Sequence, residues 1–199
     1  MKQSKVTVQI MMGGKSARMG TDKAFVELDG KTLLEHAVEG WKDYGAALQL
    51  SVGPAERLSL APEGIPAIAD IYTDCGPIGG LHAGLQACKT EYLLLVAVDT
   101  PFLTHELADK LVEVAEEFDC DACTYVLDGG MPQPLFSLYR VSCLPAAEDM
   151  IRSGFFNMSR LLSFVYTERM CPPDREAFRN LNTPEDVAAA KEYLALKFV

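Results

Sequence analysis

Tyr92-Leu93-Leu94-Leu95-Val96-Ala97-Val98 is an unbroken apolar run with no polar alternation, and it ends on Asp99. A strand that faced water on one side would alternate, so a strand with no polar face must be covered on both. Helices on both faces of a parallel sheet supply that cover, which predicts an α/β fold with this run as a central strand. The Asp99 carboxylate should then emerge at the C-terminal edge of the sheet, where open α/β sheets bind ligands.

The rest of the chain supplies the expected alternation. Val6 to Met11 is a short β-branched and apolar run that ends at Gly13-Gly14, as a buried strand entering a turn would. Thr32-Leu33-Leu34-Glu35 has capping-box spacing, and Leu33, Leu34, Ala37, Val38 and Trp41 recur on one helical face. Strands are expected over Ala47 to Val52, Ile65 to Ala69, Asp121 to Tyr125 and Leu135 to Tyr139. Helices are expected from the Asp74-Cys75-Gly76-Pro77 turn to about Cys88, over Thr104 to Glu117, and after Thr183-Pro184. With 199 residues and neither repeats nor linkers, one three-layer α/β domain spanning residues 1–199 is predicted.

Charge restricts the partners. A formal net charge of -10 leaves no broad basic footprint for nucleic acid or an anionic membrane. Any polyanionic ligand must be met by local cations, backbone N–H groups or a metal. No apolar run approaches the roughly 20 residues of a membrane span, and no secretory leader pattern opens the chain, so a cytoplasmic protein is expected. The six cysteines sit mostly in apolar or helical text, which suits reduced, buried thiols. Cys120 and Cys123 form a lone C-x-x-C without the second pair that a zinc site needs. His36, His82 and His105 have no partner at metal-ligand spacing and are expected to be core or surface residues.

Against that acidic background, Gly13-Gly14-Lys15-Ser16-Ala17-Arg18-Met19-Gly20-Thr21-Asp22-Lys23 places three glycines and three cations directly after the first strand. Glycine lets a phosphate approach the backbone, and the cations neutralise it. Neither G-x-G-x-x-G nor the Walker pattern fits, so dinucleotide oxidoreductases and P-loop NTPases lose support. No nucleophile elbow or Ser/His/Asp set is present, so the chemistry expected is electrostatic. Asp99 could hold Mg²⁺ against phosphate oxygens, and Asp70 either supplies a second carboxylate or only forms a turn. Gly76-Pro77-Ile78-Gly79-Gly80 with Gly84 suits either a helix N-terminus close to a nucleotide or tight helix-sheet packing.

The loop resembles the G-G-x-S-x-R-M-G-x-D-K signature of molybdenum cofactor guanylyltransferases. The resemblance continues through Ile68-Ala69-Asp70, Gly76-Pro77-Ile78-Gly79-Gly80, Val98-Asp99-Thr100-Pro101-Phe102-Leu103, Gln133-Pro134-Leu135 and Leu181-Asn182-Thr183-Pro184-Glu185-Asp186. It implies a three-layer α/β/α Rossmann-like nucleotidyltransferase fold with a mostly parallel sheet. It also implies transfer of GMP from GTP to the terminal phosphate of molybdopterin, with Mg²⁺ as cofactor. Carried over residue by residue, the resemblance assigns nucleotide binding to Met11, Met12, Gly13, Gly14, Lys23, Asp70 and Asp99. Asp99 is the implied metal ligand, and Lys23, Asp99 and Arg18 are the implied catalytic residues. Gln133, Pro134 and Asn182 are assigned to the acceptor side. GTP and molybdopterin are the implied small-molecule partners, with transient contacts to other molybdenum cofactor biosynthesis proteins or molybdoenzymes. The alternatives are a CTP-using or other-acceptor transferase, and a non-catalytic protein that binds and delivers the nucleotide or molybdenum cofactor.

Overall fold

A computed structural model describes residues 2–13 and 22–197. In chain order its strands are β1 (Val6–Met11), β2 (Glu27–Leu28), β3 (Lys31–Thr32), β4 (Ala47–Gly53), β5 (Ala67–Ala69), β6 (Tyr92–Ala97), β7 (Ala122–Leu127), β8 (Met131–Arg140) and β9 (Thr167–Met170). Its helices are α1 (Leu33–Trp41), α2 (Pro77–Ala87), α3 (His105–Phe118), α4 (Leu144–Arg152), α5 (Met158–Phe164) and α6 (Pro184–Lys197). Seven strands form one sheet in the order β5-β4-β1-β6-β8-β7-β9, and β2 and β3 make a separate small hairpin. Only β8 runs antiparallel to its neighbours in the large sheet. No helix among the described residues is long and apolar enough to cross a membrane.

The sheet is covered on both faces, as the unbroken apolar run requires. Leu93 and Leu95 of β6 pack with residues of α2, α4 and α5, whereas Leu94 and Val96 pack with α3. Ile10 of β1 meets α1 and α6 on that second face. The Thr32 hydroxyl accepts from the Glu35 N–H while the Glu35 carboxylate accepts from the Thr32 N–H, so the predicted capping box starts α1.

β4, β6 and β7 differ from expectation by one or two residues at their ends, whereas β5 and β8 start at least two residues away from their predicted first residues, and proline explains both shifts. β5 starts at Ala67 rather than Ile65 because Pro66 has no N–H to give a ladder, although its carbonyl accepts from Leu50. β8 starts at Met131, several residues before the predicted Leu135. Its pairing with β6 covers only Tyr92 to Leu94, so Pro132 and Pro134 lie where no β6 partner demands a donor, next to a register shift with β7. Helices α4 and α5 and strand β9 were not anticipated.

Helix α2 lies very close to the sheet. Gln9 is fully buried, donates to the Gly80 carbonyl at 2.9 Å and accepts from Gln49 at 2.8 Å. A Cβ on Gly84 would stand 2.0 Å from Gln9 Oε1, and one on Gly80 would stand 2.5 Å from the Ser51 hydroxyl. Tight packing is therefore the role of Gly79, Gly80 and Gly84. Gly84→Ala is expected to destabilise the protein by about 1–3 kcal/mol despite alanine's better helix propensity, because buried backbone and a hydrogen-bonded glutamine must move. Urea unfolding would measure this, and an unchanged midpoint would contradict it.

Candidate active site

Strand order reverses at β1. The chain steps outward from β1 to β4 and β5, then returns to place β6 on the other side of β1. A crevice opens at such a switch point, at the C-terminal ends of the strands. The ends of β1 and β6 supply Met11, Ala97, Val98 and Asp99 to a cleft of about 490 Å³. That is within the size range of small-molecule sites. β8 pairs with β6 only from Leu138 to Arg140, and Leu135, which precedes that pairing, also lines the cleft.

Lys23 opens a short 3₁₀ turn, Lys23–Phe25, capped by the Asp22 side chain. Its Nζ lies 2.6 Å from Asp99 Oδ2 and also donates to Asn182 Oδ1. Both ion-pair partners are mostly buried. Asn182 is itself fixed at the head of α6, where the N–H groups of Asn182 and Thr183 both donate to Asp186 Oδ2 at 2.9 Å. The backbone N–H of Asn182, with further bonds from Thr183, holds the Asp186 carboxyl below its usual range. The Leu181 N–H donates to the Asp99 carbonyl, which ties this helix head to the end of β6.

Asp70 follows β5 and lines the same cleft. Burial pushes its carboxyl up to about 6, and its Oδ1 is buried without a hydrogen-bond partner among the described residues. A Cβ on Gly79 would approach Asp70 Oδ2 to 3.0 Å, so the glycine admits the carboxylate against the first turn of α2. Gly76, with a φ of +67°, turns the chain into Pro77 at the start of that helix, and both residues line the cleft.

The structure thus gathers Met11, Gly13, Lys23, Asp70 and Asp99 at one cleft, with Asn182 bonded to Lys23. Met12 departs from this set. Its side chain is buried in the core, its N–H donates to the Ser51 carbonyl, and it does not line the cleft. Asn182, expected on the acceptor side, accepts from Lys23, the cation paired with Asp99. Gln133 and Pro134 are on β8 outside the cleft lining, next to Leu135. Gly14, Lys15 and Arg18 lie outside the described residues. The three histidines are not in the lining: His36 bonds the Leu28 carbonyl, His105 bonds the Gly40 carbonyl, and His82 is buried against Tyr72. Cys120 and Cys123 are buried in the core, whereas Cys171 is exposed.

Arg57 was missed. It lies just beyond β4 in the turn Ala55–Leu60 and lines the cleft beside Gly13. Gly53-Pro54 at the end of a strand marks a turn at the binding edge, and a cation shortly after it was the available signal.

The family described as the MobA-like NTP transferase domain matches residues 8–166. A molybdenum cofactor guanylyltransferase from Yersinia pestis is 30% identical over 92% of this chain and 94% of its own. A relative from Pelotomaculum thermopropionicum, named a probable molybdenum cofactor guanylyltransferase, is 31% identical over 92% of this chain and 90% of its own. The crystal structure of molybdopterin-guanine dinucleotide biosynthesis protein A from Archaeoglobus fulgidus superimposes with a TM-score of 0.84 at 27% identity, covering 96% of this chain and 99% of that one. Fold, cleft and sequence agree that the chain belongs to the molybdenum cofactor guanylyltransferase family, with its MobA-like NTP transferase domain.

Proposed function

We propose that this protein transfers GMP from GTP to the terminal phosphate of molybdopterin, releasing pyrophosphate, as a single-domain cytoplasmic enzyme. The observation that carries this reading is the position of Asp70 in the cleft that also holds the Lys23–Asp99 pair. A half-buried carboxylate that lines the cleft and carries an oxygen with no protein partner among the described residues fits a ligand that presents two adjacent donors. The guanine edge offers N1–H and N2–H₂ side by side. The cytosine edge sets the acceptors N3 and O2 beside its one donor group, so a carboxylate there disfavours it.

In the transfer an acceptor phosphate oxygen bonds to the α-phosphorus as the bond from that phosphorus to the β-bridging oxygen breaks. No covalent enzyme intermediate is required. Lys23, fixed between Asp99 and Asn182, supplies positive charge for the transferring and leaving phosphates. The Gly13 backbone, at a φ of +70°, lets the triphosphate approach the chain. Asp99 Oδ1 makes no protein hydrogen bond among the described residues, and this hard oxygen donor fits Mg²⁺, which usually takes one or two carboxylates and completes its shell with water and substrate phosphates. No cluster of three or more acidic, His or Cys ligands stands among the described residues, so the triphosphate itself must contribute oxygens. When bound, Mg²⁺ would neutralise charge on the phosphates.

A panel of GTP, CTP and ATP against molybdopterin and other phosphorylated acceptors, read by pyrophosphate release, tests base, acceptor and catalysis together. GTP is expected to exceed CTP by at least about 100-fold in kcat/KM. Binding of GTP without pyrophosphate release would favour a delivery protein instead.

The ionisation of Asp70 gives a pH signature. Only its ionised form accepts two N–H donors, and its carboxyl is pushed up to about 6. Affinity is therefore present above that value and lost as pH falls through it. KM for GTP should rise below pH 6 in the wild type relative to Asp70→Asn, whose amide does not titrate. Parallel pH profiles for the two proteins would remove Asp70 from base recognition.

A further inference from the structure

Arg57 joins the two flanks of the glycine-rich segment. Its Nη1 donates to the carbonyl of Gly13, and its Nη2 lies 2.5 Å from Asp22 Oδ2. Gly13 is the last described residue before the segment and Asp22 is the first after it. One planar guanidinium thus spans both ends, although the two contacts are 44 and 35 residues away in sequence. The side chains of Arg57 and Asp22 are only 15% and 20% exposed, so solvent screens the pair weakly. The other oxygen of Asp22 accepts from the Ala24 N–H at 3.2 Å and caps the turn that begins with Lys23. Asp22 therefore links Arg57 mechanically to the lysine that meets Asp99.

We propose that Arg57 is a positioning residue, a crossbar that fixes the separation of Gly13 and Asp22 and, through Asp22, aims Lys23 into the cleft. Arginine suits the task because its rigid fork offers separate donors to two acceptors at a set spacing. A lysine presents one compact ammonium and cannot hold both at that geometry. The kinetic consequence rests on the proposed nucleotidyl transfer, whereas the crossbar itself is a property of the protein alone.

Lys15 and Arg18 provide tryptic sites between the two flanks. Wild type, Arg57→Ala and Arg57→Lys are digested under native conditions, and cleavage after Lys15 and Arg18 is timed by mass spectrometry. Cleavage there is expected to accelerate about 10-fold in Arg57→Ala and to a lesser extent in Arg57→Lys, with sites in α3 and β8 unaffected. In pyrophosphate release, KM for GTP should rise about 10-fold in Arg57→Ala and kcat/KM for GTP should fall about 10- to 100-fold, while KM for the acceptor stays within about two-fold. Simple loss of folded protein would lower the rate and leave both KM values unchanged. Wild-type cleavage rates at Lys15 and Arg18 in a folded Arg57→Ala protein overturn the crossbar. If Arg57→Ala is digested throughout, Asp22→Asn decides, because it weakens the same bridge and keeps the arginine: selective cleavage after Lys15 and Arg18 supports the proposal, and wild-type rates overturn it. A wild-type protein that releases no pyrophosphate would defeat the functional reading, while the protease result would still decide the crossbar.

Discussion

Asp99→Ala is expected to lower GTP-dependent pyrophosphate release by at least about 1,000-fold, which corresponds to about 4 kcal/mol of lost transition-state stabilisation. The loss is that large because the substitution removes the hard oxygen donor proposed for Mg²⁺ and also one of the two acceptors that hold the Lys23 ammonium. The fold should survive. Asp99 follows β6 on the binding edge, its backbone carbonyl still accepts from Leu181, and its side chain is absent from the hydrophobic core. Removing one partner of a mostly buried ion pair costs about 3–5 kcal/mol, and the retained bond from Lys23 to Asn182 puts the loss here at the lower end, about 3 kcal/mol. The melting temperature is therefore expected to fall by about 6–12 °C, with a single cooperative transition retained. Asp99→Asn should be nearly as inactive, because an amide keeps the shape and loses the charge. Full activity in either folded variant would exclude Asp99 as the essential metal ligand.

The second large effect concerns which lysine matters. Lys23→Ala should cost about 100- to 1,000-fold in kcat, whereas Lys15→Ala should cost less than about 10-fold. Lys23 is held by Asp99 and Asn182, and Asn182 is in turn held by Asp186, so its charge is preorganised toward the cleft. Lys23→Arg should restore little, because a planar guanidinium does not occupy the space of a compact ammonium between those two acceptors. Equal losses at Lys15 and Lys23 would contradict the role given to Lys23.

These expectations were partly legible in the sequence. The apolar run ending at Asp99 and the strand that runs into Gly13 give the sheet, its coverage and its binding edge, because side-chain periodicity is a local signal. The same locality hid other features. β9 reads Thr167-Glu168-Arg169-Met170, an edge strand that stays partly exposed and so carries no apolar run. The first half of β8 was obscured by Pro132 and Pro134, which are tolerated only because β6 stops pairing at Leu94. α4 did offer a signal in Ala147, Met150 and Ile151 at helical spacing behind Pro145. In the site, Lys23, Asp70 and Asp99 were marked by strand ends and the family signature. Arg57 was not, because its partners are distant in sequence, and for the same reason nothing local shows that Asn182, which the resemblance assigns to the acceptor side, reaches Lys23. The open choice for Asp70 between a turn role and a site role is narrowed by its half-buried place in the cleft lining, with Oδ1 unpartnered among the described residues.

The two cations that line the cleft among the described residues, Lys23 and Arg57, each have a carboxylate of their own, Asp99 and Asp22. When a highly charged product departs, neither cation is left bare, because each is already paired with its own carboxylate. Product release therefore does not require stripping a polyanion from a net positive hole. Among the described residues the site sets these two cations against four carboxylates, because Asp70 and Asp74 line the cleft and add to the two partners, and that excess of negative charge favours release of a polyanionic product over its retention, in keeping with a chain whose overall charge is -10.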